Sequence, residues 1–186
     1  YGTGTYKGKT VHVANHFAEG RQVGQKLRSK DKKFTVRGEL EPLYGMWLWG
    51  RGKKLIITEG EIDALSVSEA QGNRWPVVSI SNGAKSAAKA IGQSIEYLQN
   101  FEEIILMFDQ DEVGQEAAIE AAQRLPLGKV KIASLPEKDP NELLMAGRSK
   151  EIIRAIWNAE PYRPDGIIQL GQVIDDALKA PEWGMS

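Results

Sequence analysis

An α/β fold, built on a mostly parallel sheet with helices on both faces, is predicted by three features of this chain. Short apolar, β-branched runs suited to buried strands recur from residue 55 onward; each is followed by a stretch with helical spacing; and the unit repeats four times. LIIT (55–58) leads into EIDALSVSEA, PVVSI (76–80) into AKSAAKAIGQSIEYLQ, IILMF (104–108) into GQEAAIEAAQRL, and KVKIASL (129–135) into NELLMAG. Such units join parallel strands by right-handed crossovers, and chemistry in these sheets gathers at the carboxyl ends of the strands.

The two ends of the chain depart from this pattern. The first fifty residues read as short strands and turns, VHVANHF, RQVGQKLR and FTVRG, punctuated by Gly20, Gly24, Gly38 and Gly45. KEIIRAIWNAE is helical and is stopped by Pro161 and Pro164, after which PYRPDG opens a linker and IIQLGQVIDDALKAP reads as a short amphipathic helix. Three units are expected: a small basic mixed α/β subdomain over 1–52, the parallel-sheet unit over 53–160, and a linker with its helix over 161–186.

The 186 residues include no cysteine, which excludes disulfides, thiolate metal sites, a cysteine nucleophile and an iron–sulfur cluster. No apolar run approaches the roughly 18 residues of a membrane span, and the start YGTGTYKGKT has no apolar signal stretch, so no membrane association and a cytoplasmic location are expected. The net charge of −1 conceals a division: residues 1–54 carry 12 Lys and Arg against 4 Asp and Glu, and residues 55–186 carry 12 against 21. Charge split in this way suits a polyanion on the basic side and metal or solvation on the acidic side, although ordinary solvated faces have the same composition.

Four acids follow strand ends. Asp109 and Asp111 flank Gln110 directly after IILMF, so a rigid buried strand presents two carboxylates able to share a hard cation. The same pair also suits a solvated sheet edge or a helix N-terminus, and haloacid-dehalogenase phosphatases carry an Asp-x-Asp after a buried strand as well. That rival expects the motif after the first strand, where this chain has Thr58-Glu59-Gly60-Glu61-Ile62-Asp63. Glu59, nearest the strand end, is the candidate general base or metal ligand; Glu61 and Asp63 are further acidic candidates or simply first-turn acids. Asp139 lies just beyond the fourth strand.

On the basic side, Lys26, Arg28, Lys30, Lys32 and Lys33 place five cations in eight residues, as a phosphate-binding stretch or a solvated hairpin. If the stretch is extended, alternation puts Lys26, Arg28 and Lys30 on one side. Lys85 and Lys89 read as surface lysines. His12 and His16 have no third ligand beside them, so no zinc is expected, and Trp47 and Trp49 suit packing between subdomains better than base stacking.

LIITEGEIDAL resembles the Glu-Gly strand end of the Toprim fold, a Rossmann-like α/β unit, and FDQDEVG resembles its Asp-x-Asp, in the same order and about fifty residues apart. Leu43-Tyr44-Gly45, VVSISNGAKS and LPEKDPNELL narrow the resemblance to DNA primases of the bacterial and phage type, and most closely to the bifunctional primase-helicases of T7-like phages. The resemblance implies a DNA-directed RNA polymerase, a nucleotidyltransferase that joins ribonucleoside triphosphates into short primers on single-stranded DNA. It implies Mg2+, with Mn2+ as a substitute, on Glu59, Asp109, Asp111 and Asp139; Glu59, Asp109 and Asp111 would be catalytic, and the basic subdomain would hold template and nucleotide. Zinc-binding and helicase domains of the same full-length protein and a replisome DNA polymerase are the implied partners. A Toprim nuclease and a non-catalytic Toprim scaffold on single-stranded DNA are the alternatives.

Overall fold

A computed structural model describes residues 1–164. The expected amphipathic helix over 167–181 lies outside them. Two sheets make up the fold. The first is an antiparallel meander of β1 (Gly2–Tyr6), β2 (Lys9–Ala18), β3 (Arg21–Ser29) and β4 (Phe34–Gly38), in that spatial order. Three of its strands match expected runs; β1 has no apolar alternation that would announce it. A mixed α/β character was expected over residues 1–52, but helix there is limited to the 3-10 turn Met46–Leu48. Gly24 and Gly38 are paired across β3 and β4. A Cβ on Gly24 would stand 1.8 Å from the Glu39 carbonyl oxygen, so the meander closes only because that position has no side chain.

The second sheet has six strands, in the spatial order Glu160–Pro161 (β10), Val130–Ile132 (β9), Phe101–Met107 (β8), Gly52–Thr58 (β6), Val77–Ile80 (β7) and Leu43–Tyr44 (β5). Its four central strands, β6 (Gly52–Thr58), β7 (Val77–Ile80), β8 (Phe101–Met107) and β9 (Val130–Ile132), are mutually parallel. Leu55 and Ile57 of β6, with Ile104 and Leu106 of β8, pack on one face against Ala90, Ile91, Ala118 and Ala121. Ile56, Ile105 and Met107 point the other way, against Ala64, Val67, Ile152 and Ile156. Strands buried on both faces account for the uninterrupted apolar runs in the sequence.

The covering helices are α1 (Glu61–Ala70), α2 (Ala87–Gln93), α3 (Ile95–Leu98), α4 (Glu112–Ala122), α5 (Pro140–Met145) and α6 (Ser149–Trp157). The single helix expected over 84–99 is divided: a 3-10 turn at Ala84–Ser86 precedes α2, and the chain breaks at Ser94 before α3. Two-residue antiparallel strands close the edges, β5 (Leu43–Tyr44) on β7 and β10 (Glu160–Pro161) on β9. The larger sheet thus reaches back to Leu43–Tyr44, past the expected division at residue 52. No helix among the described residues is long and apolar enough to cross a membrane.

The meander is fastened to the parallel sheet by aromatic packing and polar ties. His16 is fully buried, and its Nδ1 accepts a hydrogen bond from the Glu41 amide at 3.1 Å. The His16 ring lies 5.3 Å from Tyr44 and 5.5 Å from Trp47, which also meets Phe17. Trp47 is therefore a packing residue, as its place between the subdomains suggested.

Candidate active site

Between the carboxyl ends of the parallel strands and the face of β3 and β4 lies a cleft of about 470 Å³. Its acidic wall is assembled from three strand ends. Glu59 follows β6, and Gly60 turns the chain so that α1 starts at Glu61, with the Thr58 hydroxyl donating to the Gly60 carbonyl at 3.0 Å. Asp109 and Asp111 follow β8; Asp111 caps α4 by accepting from the Gly114 amide at 3.0 Å. Asp139 caps α5 by accepting from the Glu142 amide at 2.8 Å, with Pro140 at the first helical position.

Gly114 is the hinge of this arrangement. A Cβ there would stand 2.3 Å from the Asp109 carbonyl oxygen, so α4 can start this close to the Asp-Gln-Asp turn only at a glycine. Gln115 also holds that carbonyl, at 3.0 Å, and the Gln110 amide donates to the Lys138 carbonyl at 2.7 Å. The two acidic loops are thereby joined.

Glu59, Asp63, Asp109 and Asp139 line the cleft together. Burial raises the Glu59 and Asp109 carboxyls above the usual range, and neighbouring carboxylates add to it: Asp109 and Asp111 act on Glu59, and Asp139 and Asp111 on Asp109. Asp63 goes furthest, pushed up to about 7 by burial and then by Asp139, Asp109 and Glu59. Asp111 moves the opposite way, held down by the Gly114 amide and by Lys138.

Lys138 reaches Asp111 at 3.0 Å and Asp109 at 3.6 Å, so it neutralises part of the cluster. The sequence reading passed over this lysine, although it stands beside Asp139 in an otherwise acidic loop. Among the described residues no three His, Asp or Glu side chains stand together at metal-holding distance. The donor set nonetheless suits a hard cation. Glu59 Oε2 is buried without a hydrogen-bond partner, and Glu59, Asp63 and Asp109 are each raised by neighbouring carboxylates.

The basic residues divide. Arg28 and Lys32 line the cleft with Phe34, whose ring lies 5.9 Å from the Arg28 guanidinium. Lys26 also reaches the cleft, but its Nζ pairs with Glu61 at 2.8 Å and donates to the Ser81 carbonyl at 2.7 Å. Glu61 is itself buried, so neither member of that pair is free for phosphate or metal. Lys30 and Lys33 do not line the cleft: β3 ends at Ser29, Lys30 falls in the following turn, and exposed Lys33 pairs with Asp31. The side shared by Lys26 and Arg28 therefore does not extend to Lys30. Lys85 and Lys89 are exposed and outside the cleft, while Asn82 and Gly83, after β7, form part of its rim.

Residues 56–144 match the Toprim-like family model, and residues 1–38 match the bacteriophage T7 DNA helicase/primase N-terminal a+b fold. The chain is 49% identical over 163 residues to the DNA helicase/primase of Enterobacteria phage T3, covering 87% of this chain and 29% of that protein. It superposes on the primase fragment of the bacteriophage T7 primase-helicase with a TM-score of 0.80 at 46% identity, covering 83% of this chain and 66% of the fragment. A TM-score of 0.81, again at 46% identity, relates it to a structure of bacteriophage T7 lagging-strand DNA polymerase interacting with primase domains of two gp4 subunits bound to an RNA/DNA hybrid and dTTP. That match covers 86% of this chain and 83% of the matched one. The chain thus spans under a third of the length of the T3 protein.

Proposed function

Since the chain belongs to the T7-like primase-helicase family, in its Toprim-containing primase portion, we propose that it polymerises ribonucleoside triphosphates into short RNA primers on a single-stranded DNA template. The observation that carries this reading is the two-sided cleft: Glu59, Asp63, Asp109 and Asp139 on one wall, Arg28 and Lys32 on the other, with Lys138 at the acidic rim. A phosphodiesterase that cuts a strand has one polyanion to hold against the acids. Template-directed synthesis must hold two polyanions against them, and Arg28 and Lys32 are placed to do so.

Glu59, Asp63, Asp109, Asp111 and Asp139 are the residues that would hold Mg2+ or Mn2+. A divalent cation bound there supplies charge neutralisation for the triphosphate and activation of the attacking 3′-oxygen. Arg28 and Lys32 bind phosphate oxygens and orient the nucleotide across the cleft. Lys138, an exposed side chain that pairs with Asp109 and Asp111 at the acidic rim, would be within the cleft to meet a phosphate oxygen. Glu59, whose Oε2 is buried without a hydrogen-bond partner, would serve either as one of the metal ligands or as the acceptor of the 3′-hydroxyl proton. The partners we propose are zinc-binding and helicase domains of the same full-length protein and a replisome DNA polymerase, in the host cytoplasm if the protein is phage-encoded.

The test is an assay with single-stranded template, Mg2+ or Mn2+ and labelled ribonucleotides. Di- to tetraribonucleotides that disappear in Asp109→Ala and Glu59→Gln are expected. Cleavage of the DNA would move the reading to a nuclease, and DNA binding with neither product to a scaffold.

A further inference from the structure

At the opposite end of the parallel sheet, where β6 and β7 begin, lies a groove of about 650 Å³. Its floor is Ile56, Ala70, Pro76, Ile153 and Ile156, and three of the five tryptophans of the chain, Trp49, Trp75 and Trp157, line it. Trp75 and Trp157 are 61% and 70% exposed, which leaves a large apolar area open to water. Arg51, Lys53, Lys54 and Arg74 surround them. Lys54 is engaged, paired with Glu103 at 3.0 Å and lying 4.4 Å over the Trp157 ring. Arg51, Lys53 and Arg74 are exposed and take part in no ion pair among the described residues.

From this juxtaposition we infer that the groove is a second contact for single-stranded DNA, separate from the acidic cleft. Exposed indoles offer π-faces on which any base stacks, and unpaired cations beside them meet the backbone phosphates. Charge selects the occupant: three uncompensated cations around an apolar floor favour a ligand that is both polyanionic and rich in flat apolar surface. Stacking on indole faces and charge on backbone phosphates require no particular base, so contact largely independent of sequence is expected. Glu59 follows the far end of β6, so a strand held here is fixed outside the chemistry, at the other end of a seven-residue strand, roughly 23 Å away at about 3.3 Å per residue.

This contact does not depend on primer synthesis, and the experiment keeps the two apart. The 186-residue chain is titrated with a thirty-nucleotide oligo(dT), followed by tryptophan fluorescence and by anisotropy of a label on the DNA. Quenching is expected in the wild type. The Trp75→Ala/Trp157→Ala variant should lose it and bind at least about tenfold more weakly. The Arg51→Ala/Arg74→Ala variant, which alters only exposed side chains, should flatten the slope of log K against log salt by about 1.4, the amount for two phosphate contacts on a single strand. Unchanged affinity and slope in both variants overturn the inference and leave the groove to a protein partner. Equal losses on oligo(dT) and on an abasic strand of the same length overturn its stacking component. Primer synthesis on a template only long enough for the cleft should be the same in wild type and variants; its absence in all three would overturn the proposed activity while leaving the binding result legible.

Discussion

Replacing Lys26 by methionine should destabilise the protein more than any change at the exposed cations of the same stretch. Lys26 and Glu61 have side chains only 11% and 9% exposed, and the Nζ stands 2.8 and 3.1 Å from the two carboxylate oxygens. The methionine leaves a buried carboxylate without its cation, a loss of about 3–5 kcal/mol. It also leaves the Ser81 carbonyl without its 2.7 Å donor, worth about a further 1 kcal/mol. At about 2–4 °C per kcal/mol for a domain of this size, the thermal midpoint should fall by at least about 8 °C. Lys26→Met/Glu61→Gln removes both charges and should recover most of that loss, because a buried pair costs nearly as much to desolvate as it returns. Urea unfolding of the wild type, Lys26→Met, Glu61→Gln and the double variant completes a double-mutant cycle. A Lys26→Met variant within about 1 kcal/mol of wild type, or a double variant no better than Lys26→Met, would refute the view that this pair is an internal tie rather than a phosphate contact.

Gly114→Ala should reduce primer synthesis by at least about tenfold and lower stability by about 1–3 kcal/mol, since its methyl group meets the Asp109 backbone; wild-type activity in a steady-state assay would show that α4 can retreat without cost. Asp63→Asn should stabilise the metal-free protein at pH 7.5 while lowering its activity. A carboxyl raised from 3.8 to about 7 favours folding most below pH 4 and loses that contribution as pH rises toward 7, a difference of up to about 4 kcal/mol. The sign is checked by thermal melts from pH 5 to 8, in which the advantage of the variant should grow with pH. His16 works in the other direction. Burial and then Lys26 lower it from 6.5 to about 4, so the unfolded chain takes up a proton first, and stability falls as pH drops from about 6.5 to 4, by about 3 kcal/mol in all. His16→Gln should flatten that part of the pH–stability curve; an unaltered curve would mean that another group sets it.

The sequence announced what depends on local pattern. Gly60 and the acids after it mark the start of α1, and that helix runs over the ten residues expected. The apolar runs announced the central strands because burial on both faces leaves few polar positions in their middles, Ser79 of β7 being an exception. What escaped was contact between distant segments. Lys26 and Glu61 are 35 residues apart, and nothing near Lys26 marks it off from Arg28, which stays free in the cleft. Asp63 looked like an ordinary first-turn acid until the Asp139 loop was folded against it. The requirement at Gly114 comes from the Asp109 backbone, which a motif of side chains does not display. Strands of two residues, such as β5 and β10, have no periodicity to detect.

Those two short strands have a further effect. A parallel sheet with bare margins presents rows of unpaired amides and carbonyls to any other extended chain, and here both margins end in pieces too brief to template one. β10 also carries Pro161, which has no N–H to offer a newcomer. Among the described residues, neither margin of the larger sheet offers a long bare strand on which a second copy of the chain could add its own.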